Sequence, residues 1–382
     1  MLNILIFTAS YGGGHWQAAR AVAKALLLHQ KDLKTEIVDF VELISPTWNR
    51  VTSFTYAKSV RNAPSLYGYF YRATNRLKID PLWEKKFNYL GVQKILGLLQ
   101  ARRPHLIVAT YSVAAGAVSR LKKQGLLRVP LVTVITDYAV HNQWIHPWTD
   151  LYLVGSEQVR EGLIGRGVPG TKIAVTGIPI DPKFASLPSR PFLFEKFGLN
   201  PGVPVILIMA GAVGMLRGIP SICRLLDRLP LPLQVLAVTG KDRRLYRRLR
   251  RLAPKMKKPL LVSGYVENVE EYMAAADLLI TKAGGLTTSE ALAVGLPMLI
   301  YRPIPGQEAE NTRYLTEIGA ALAVRNLRQL EARLIQLLSE PPLLEMLRES
   351  ARAAGRPGAA LTAARHILNL AACSHHPALW CS

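Results

Sequence analysis

Two groups of residues in this chain have the composition of reaction sites. The first is Thr8-Ala9-Ser10-Tyr11-Gly12-Gly13-Gly14-His15, taken together with Thr136-Asp137-Tyr138. Glycines without Cβ atoms let backbone amides approach a ligand, or let a side chain enter a tight turn. His15 follows them where a helix should open, and the positive end of the helix dipole there favours neutral imidazole. Neutral imidazole can accept a proton near pH 7. Asp137 closes an apolar run and falls at the same sheet edge. A carboxylate in that position can orient the imidazole, or take the proton while the imidazole assists. His141 and Trp144 lie just beyond, as acceptor contacts or as loop packing.

The second group begins at Leu278-Leu279-Ile280-Thr281-Lys282-Ala283-Gly284-Gly285-Leu286-Thr287-Thr288-Ser289-Glu290. A buried strand reaches the Gly284-Gly285 turn, and the next helix can receive phosphate through its amides and dipole. Thr287 and Thr288 add hydroxyl donors, and Glu290 offers two oxygens to the two hydroxyls of a ribose. Gly211-Ala212-Val213-Gly214 supplies a second backbone approach to a diphosphate, while Gln307, Glu308 and Asn311 can read sugar hydroxyls. Lys282 either assists the diphosphate or points to solvent. Three polar loops at successive strand ends describe a nucleotide-sugar pocket. No Asp-x-Asp, zinc-type histidine pair or dense carboxylate group is present. Metal is therefore not expected, and diphosphate charge falls to amides, hydroxyls and helix ends.

These residues need a scaffold. Apolar runs at residues 3–8, 35–40, 106–110, 131–136, 151–154 and 173–175 read as strands, alternating with helical stretches. That pattern predicts a doubly wound parallel sheet with ligands at the carboxyl ends of its strands. After the turn-rich residues 177–182, a second series follows at 205–209, 235–238, 260–262, 278–281 and 298–300. The expected domains are 1–185 and 186–340. Residues 341–382 form helices and a tail that close the second domain or cross back to the first.

Composition narrows the class. The 382 residues suffice for two domains, and 49% apolar content excludes a largely disordered chain. Three scattered cysteines, Cys223, Cys373 and Cys381, do not make a disulfide framework. No apolar stretch reaches the ~18 residues of a membrane span. The net charge of +22 is uneven, with 11 basic and 2 acidic residues in 50–103 amid nine aromatic rings. Bases and rings together suit nucleic acid or an anionic lipid surface, and composition does not separate the two. A second run, residues 241–258, has ten basic residues and the single acid Asp242, and reads as a solvent-facing helix. The first glycine loop also leaves alternatives open. It lacks Gly-x-Gly-x-x-Gly, yet a dinucleotide site with Asp39 on the next strand, or a loop without chemistry, fits the same residues.

In the order and placement of these motifs the chain resembles the monogalactosyldiacylglycerol synthase family, including the bacterial diacylglycerol glucosyltransferases, over residues 3–340. Pro305-Gly306-Gln307-Glu308-Ala309-Glu310-Asn311 adds a further family-like segment. The resemblance implies an α/β GT-B glycosyltransferase fold, with two Rossmann-like domains facing a central cleft. It implies inverting, metal-independent hexosyl transfer from UDP-galactose or UDP-glucose to diacylglycerol, giving a β-glycosyldiacylglycerol, with no tightly bound cofactor. By the same resemblance His15 and Asp137 deprotonate the acceptor, the loop of Gly12, Gly13 and Gly14 presenting His15 toward it, and Glu290 holds the ribose. Tyr265 and Val266 surround uracil, and Gln307 and Glu308 contact the hexose or its phosphate. Residues 50–103 correspond to the membrane-docking region, so the expected partner is an anionic membrane surface rather than nucleic acid. The expected location is peripheral, on the cytoplasmic face of the cell membrane. One departure is the loop Gly211-Ala212-Val213-Gly214, where relatives carry a denser glycine run. Competing readings are a peptidoglycan-precursor glycosyltransferase, a nucleotide-sugar epimerase and a noncatalytic lipid- or nucleic-acid-binding module.

Overall fold

Apolar runs without polar alternation make strands covered on both faces, and such strands build parallel sheets. The computed structural model, which describes residues 1–10, 13–45, 73, 75, 90–211, 216 and 218–373, contains two of these sheets. They belong to two compact units, Met1–Pro182 with Gly358–Ser382, and Lys183–Pro357.

In unit 1 the strands are β1 (Leu2–Thr8), β2 (Leu33–Asp39), β3 (Leu106–Ala109), β4 (Leu131–Val134), β5 (Leu151–Val154) and β6 (Ile173–Val175). Their order is β2-β1-β3-β4-β5-β6, with every pairing parallel. The chain reverses its direction of travel across the sheet between β1 and β3. Ligands of open α/β sheets bind at the carboxyl ends flanking such a reversal. Helices α1 (Gly14–His29), α2 (Phe40–Ile44), α3 (Leu90–Arg102), α4 (Ser112–Lys123) and α5 (Glu157–Ile164) connect the strands. Side chains alternate between faces along each strand. Ile4, Ile6 and Val108 accordingly pack with α1, while Leu5, Phe7 and Ile107 pack with α3 and α4.

Unit 2 repeats the plan with β7 (Val205–Met209), β8 (Gln234–Val238), β9 (Leu260–Ser263), β10 (Leu278–Thr281), β11 (Met298–Tyr301) and β12 (Ala321–Val324). The order is β12-β11-β10-β7-β8-β9, and the reversal falls between β7 and β10. Its helices are α6 (Arg190–Phe197), α7 (Ile219–Arg228), α8 (Arg243–Leu252), α9 (Val269–Ala275), α10 (Gly285–Ala293), α11 (Gln307–Glu317), α12 (Leu327–Ser339) and α13 (Pro341–Ala354). The arginine-rich α8 buries only Leu249, and Asp242 caps it by accepting from the amides of Arg244 and Leu245. After α13 the chain returns to unit 1 as α14 (Ala359–Cys373), whose Ala360, Ala363, Ala364 and Ile367 share a core with α1. Small residues on both helices permit that close packing.

Three features refine or correct the sequence expectation. The unit boundary falls between Pro182 and Lys183, and residues 341–357 stay with unit 2, so only α14 crosses back. The sixth strand, β12, escapes the pattern because Ala321-Leu322-Ala323-Val324 is a short edge strand with little β-branched content. Residues 355–358, with two glycines and a proline, separate α13 from α14.

Candidate active site

In unit 1, β1 ends at Thr8 beside the end of β3, and α1 opens at Gly14, with Ala18 its first buried residue. Gly13 caps α1 with φ of 82°, a left-handed conformation that a side chain would strain. Gly14 starts the helix and His15 follows. Tyr11 and Gly12 lie outside the described residues. The Thr110 hydroxyl donates to the His15 carbonyl at 3.0 Å and bonds the Thr8 hydroxyl at 2.9 Å. These bonds tie the start of α1 to both strand ends.

The His15 ring is partly exposed and hydrogen-bonded through Nδ1 to the Thr136 hydroxyl at 3.0 Å. Tyr111 and Trp144 flank it, with ring centroids at 5.7 and 6.0 Å. Desolvation by the surrounding protein pushes its pKa below the ordinary histidine value, opposed by the charge of Asp137 and by a backbone hydrogen bond at Thr110. A lowered pKa favours the neutral ring at pH 7, and burial is its largest cause. Asp137 is buried directly after Thr136 and acts on the imidazole electrostatically. The Thr136 hydroxyl and the Thr110 backbone together fix the orientation of the ring, and the tautomer follows from which of its nitrogens donates.

His141 is buried, and its Nδ1 accepts from the Gln143 amide at 3.2 Å, capping the short turn Asn142–Trp144. That turn is further held by Asn75, whose Oδ1 accepts from the Asn142 amide at 3.0 Å. The rest of the aromatic and basic segment is largely outside the described residues, including all nine of its rings. Asp39 does not face a cofactor. One oxygen accepts from the amides of Val41 and Glu42, and the other accepts from the amide and hydroxyl of Ser10. With both oxygens committed to the β1 loop and to α2, the dinucleotide reading loses its ribose acceptor.

Unit 2 gathers the second group at the β7–β10 reversal. Gly211 follows β7 with φ of 77°, and Gly284 and Gly285 lead from β10 into α10. Thr288 begins the intrahelical ladder by donating to the Gly284 carbonyl, so the amides of the preceding turn point out of the helix end. Glu290 sits partly exposed on α10, and Thr287 is partly exposed one turn earlier. Gly214 is outside the described residues. Tyr265 follows β9, is exposed, and carries the Lys241 ammonium 5.5 Å from its ring centroid; Val266 beside it is partly buried. Gly306, with φ of 102° and ψ of −136°, caps α11 and sets the direction of Gln307 and Glu308. Such a conformation is open essentially to glycine alone.

Two expected donor contacts are corrected. Thr288 is fully buried, and its hydroxyl donates to the carbonyls of Gly284 and Gly285 rather than to a phosphate. Asn311 is also fully buried, and its side-chain amide donates to the Ala283 carbonyl at 3.0 Å, bracing α11 against the turn after β10. Both residues shape the site from behind. Sequence reasoning missed Tyr111 as a wall of the His15 site and gave Thr136 no role. A hydroxyl directly before Asp137 was the available signal. Among the described residues no group of three or more His, Cys, Asp or Glu side chains could hold a metal ion.

Comparison with known proteins adds independent findings. The family described as Monogalactosyldiacylglycerol (MGDG) synthase matches residues 15–180, and the Glycosyltransferase family 28 C-terminal domain matches residues 205–365. The processive diacylglycerol beta-glucosyltransferase of Bacillus cereus (strain AH187) is 34% identical over 379 residues, covering 98% of this chain and 94% of the relative. Among solved structures, Acinetobacter baumannii MurG aligns with a TM-score of 0.62 at 16% identity, over 97% of this chain and 100% of that one. Anabaena HepE in complex with UDP-glucose aligns with a TM-score of 0.57 at 14% identity, over 98% and 100%.

Two doubly wound parallel sheets, with these likenesses, define a glycosyltransferase of the GT-B fold. Within that class, the chain belongs to the family of the monogalactosyldiacylglycerol synthases and the bacterial diacylglycerol glucosyltransferases.

Proposed function

We propose that this protein transfers a hexosyl group from a UDP-sugar to diacylglycerol, with inversion and without a metal, giving a β-glycosyldiacylglycerol. Unit 1 supplies the base. His15 and Asp137 together take the proton of the glycerol hydroxyl as its oxygen bonds the anomeric carbon. The bond from that carbon to the diphosphate breaks, and its electron pair leaves with UDP. Attack opposite the leaving group turns an α donor into a β product. Unit 2 supplies the donor's contacts: Glu290 for the ribose, Tyr265 and Val266 for uracil, Gln307 and Glu308 for the hexose. Backbone amides at Gly211, Gly214, Gly284, Gly285 and Thr287 serve the diphosphate.

The observation that carries this reading is His15, a partly exposed imidazole kept neutral by burial and bonded to Thr136 beside a buried carboxylate. That is the equipment of a general base acting near pH 7. The names of the full-length relatives support diacylglycerol as acceptor and glucose as the first donor to try. A lipid acceptor and a net charge of +22 support peripheral attachment to an anionic membrane on its cytoplasmic face. Among the described residues no helix is long and apolar enough to cross a membrane.

Purified protein incubated with radiolabelled UDP-glucose or UDP-galactose and diacylglycerol-containing vesicles tests the proposal. Label should enter the lipid phase with β linkage, from UDP-glucose in preference. Repeated transfer would appear as a ladder of lipids with one, two and more sugars. Turnover of the nucleotide sugar with no label in any lipid would sink the proposal.

A further inference from the structure

Lys282 follows β10 at the topological reversal of unit 2, where a diphosphate would lie, yet neither a solvent-facing nor a purely structural role accounts for it. Its side chain is only 19% exposed. The Cε stands 3.3 Å from where a Gly211 Cβ would be, and Nζ stands 3.9 Å from the corresponding point at Gly284. Both glycine turns thus border one ammonium group, and a side chain at Gly211 would crowd the lysine stem. The ammonium pairs with Oε1 of Glu308, at the start of α11. The other oxygen of Glu308, Oε2, is buried and has no hydrogen-bond partner among the described residues.

A buried ion pair is poor value as a brace unless its remaining lone pairs are satisfied, because both charges have lost their water. Here one carboxylate oxygen is left over. The ammonium also has three donors in all, which is more than one carboxylate oxygen can use. A half-satisfied pair wedged between two glycine turns fits a site that is completed by a ligand carrying negative charge and hydroxyls.

We propose that Lys282 is the cation that neutralises the donor's diphosphate and the departing UDP, with Glu308 holding it in place while the site is empty. The inference rests on the reading of unit 2 as a UDP-sugar site. When the donor binds, the ammonium donates to phosphate oxygens and Glu308 Oε2 accepts a sugar hydroxyl. As the anomeric carbon–oxygen bond breaks, the electron pair collects on the β-phosphate oxygen. Lys282 remains protonated and meets that growing charge with a charge-assisted hydrogen bond; no proton changes hands at this residue.

Comparing UDP with UMP isolates the phosphate that Lys282 serves. Calorimetric titration of the full-length wild-type protein should show UDP binding more tightly than UMP. In Lys282→Met, which keeps the stem and removes the charge, UMP affinity should be retained while the advantage of UDP shrinks about tenfold or more. Turnover should fall by about 10²–10³-fold with the acceptor KM unchanged, as when a single leaving-charge donor is removed. Lys282→Arg should recover part of both. A wild-type UDP:UMP ratio in a folded Lys282→Met protein overturns the inference, and Lys282→Gln gives the same readout should the methionine variant not fold. Failure of wild-type protein to bind either nucleotide would instead remove the UDP-sugar reading itself.

Discussion

The His15 imidazole is pulled by two opposing influences, and their balance sets its chemistry. Loss of water around the ring lowers the pKa, while the Asp137 carboxylate raises it, and burial is the larger. Protonation therefore costs more in the folded protein than in the unfolded chain, whose histidine titrates near pH ~6.5. The unfolded chain binds more protons between the two values. His15's contribution to stability is thus present above pH ~6.5 and lost as pH falls through the lower folded pKa. Catalysis should follow the same sign. The acid limb of kcat/KM should lie below pH ~6.5, with a plateau reached by pH 7. His15→Gln should lower kcat by about 10²–10⁴-fold and abolish that limb, as measured by glycosyl transfer across a pH series. A variant with the wild-type profile would remove His15 from proton transfer.

At the scale of elements, the site depends on how each helix leaves its strand. Gly13 and Gly306 both act at helix starts, with φ of 82° and 102°. Neither touches a substrate in the proposed mechanism, but each aims the residues that would. Gly306→Ala should cost roughly 1–3 kcal/mol in backbone strain and tilt Gln307 and Glu308 away from their positions at the start of α11. Thermal unfolding should show a lowered midpoint, and donor titration a raised KM with the acceptor KM unaffected. An alanine variant with wild-type stability and donor KM would mean that the loop relaxes without moving α11. Thr288 and Asn311 make a related point. Their polarity serves the turn after β10, holding in place the backbone whose amides would meet phosphate.

At the scale of the molecule, each unit is a six-stranded parallel sheet with its own reversal point, and the last helix belongs to the first unit. Helix α14 packs on α1, the helix that begins with Gly14 and His15. The C-terminal segment therefore supports from behind the helix that carries His15, although more than 340 residues separate the two in the chain. Ile367 is fully buried in that contact. Ile367→Ala should destabilise unit 1 by about 2–5 kcal/mol, read by denaturant unfolding. An unchanged unfolding midpoint would show that α14 adds nothing to unit 1.

Much of the fold was legible in the chain because parallel strands buried on both faces need apolar runs, and most of the strands among the described residues carry them. β12 lies at an edge, where burial is partial, and its four residues are too few and too poor in β-branched side chains to stand out from a helix. Local order also exposes the glycine turns, His15 and Asp137, since each sits shortly after a strand. What a side chain's hydroxyl or amide does depends on what stands opposite it, and those partners are remote in sequence. Thr136 meets His15 across 121 residues, Asn311 reaches Ala283 across 28, and Lys282 meets Glu308 across 26. Burial decided the rest. Sequence alone determined that His15 stands at a helix start and Asp137 just past a strand end; only the packing of Tyr111, Trp144 and Thr136 around the ring made desolvation the largest cause of its lowered pKa, because desolvation is a property of the assembled surroundings.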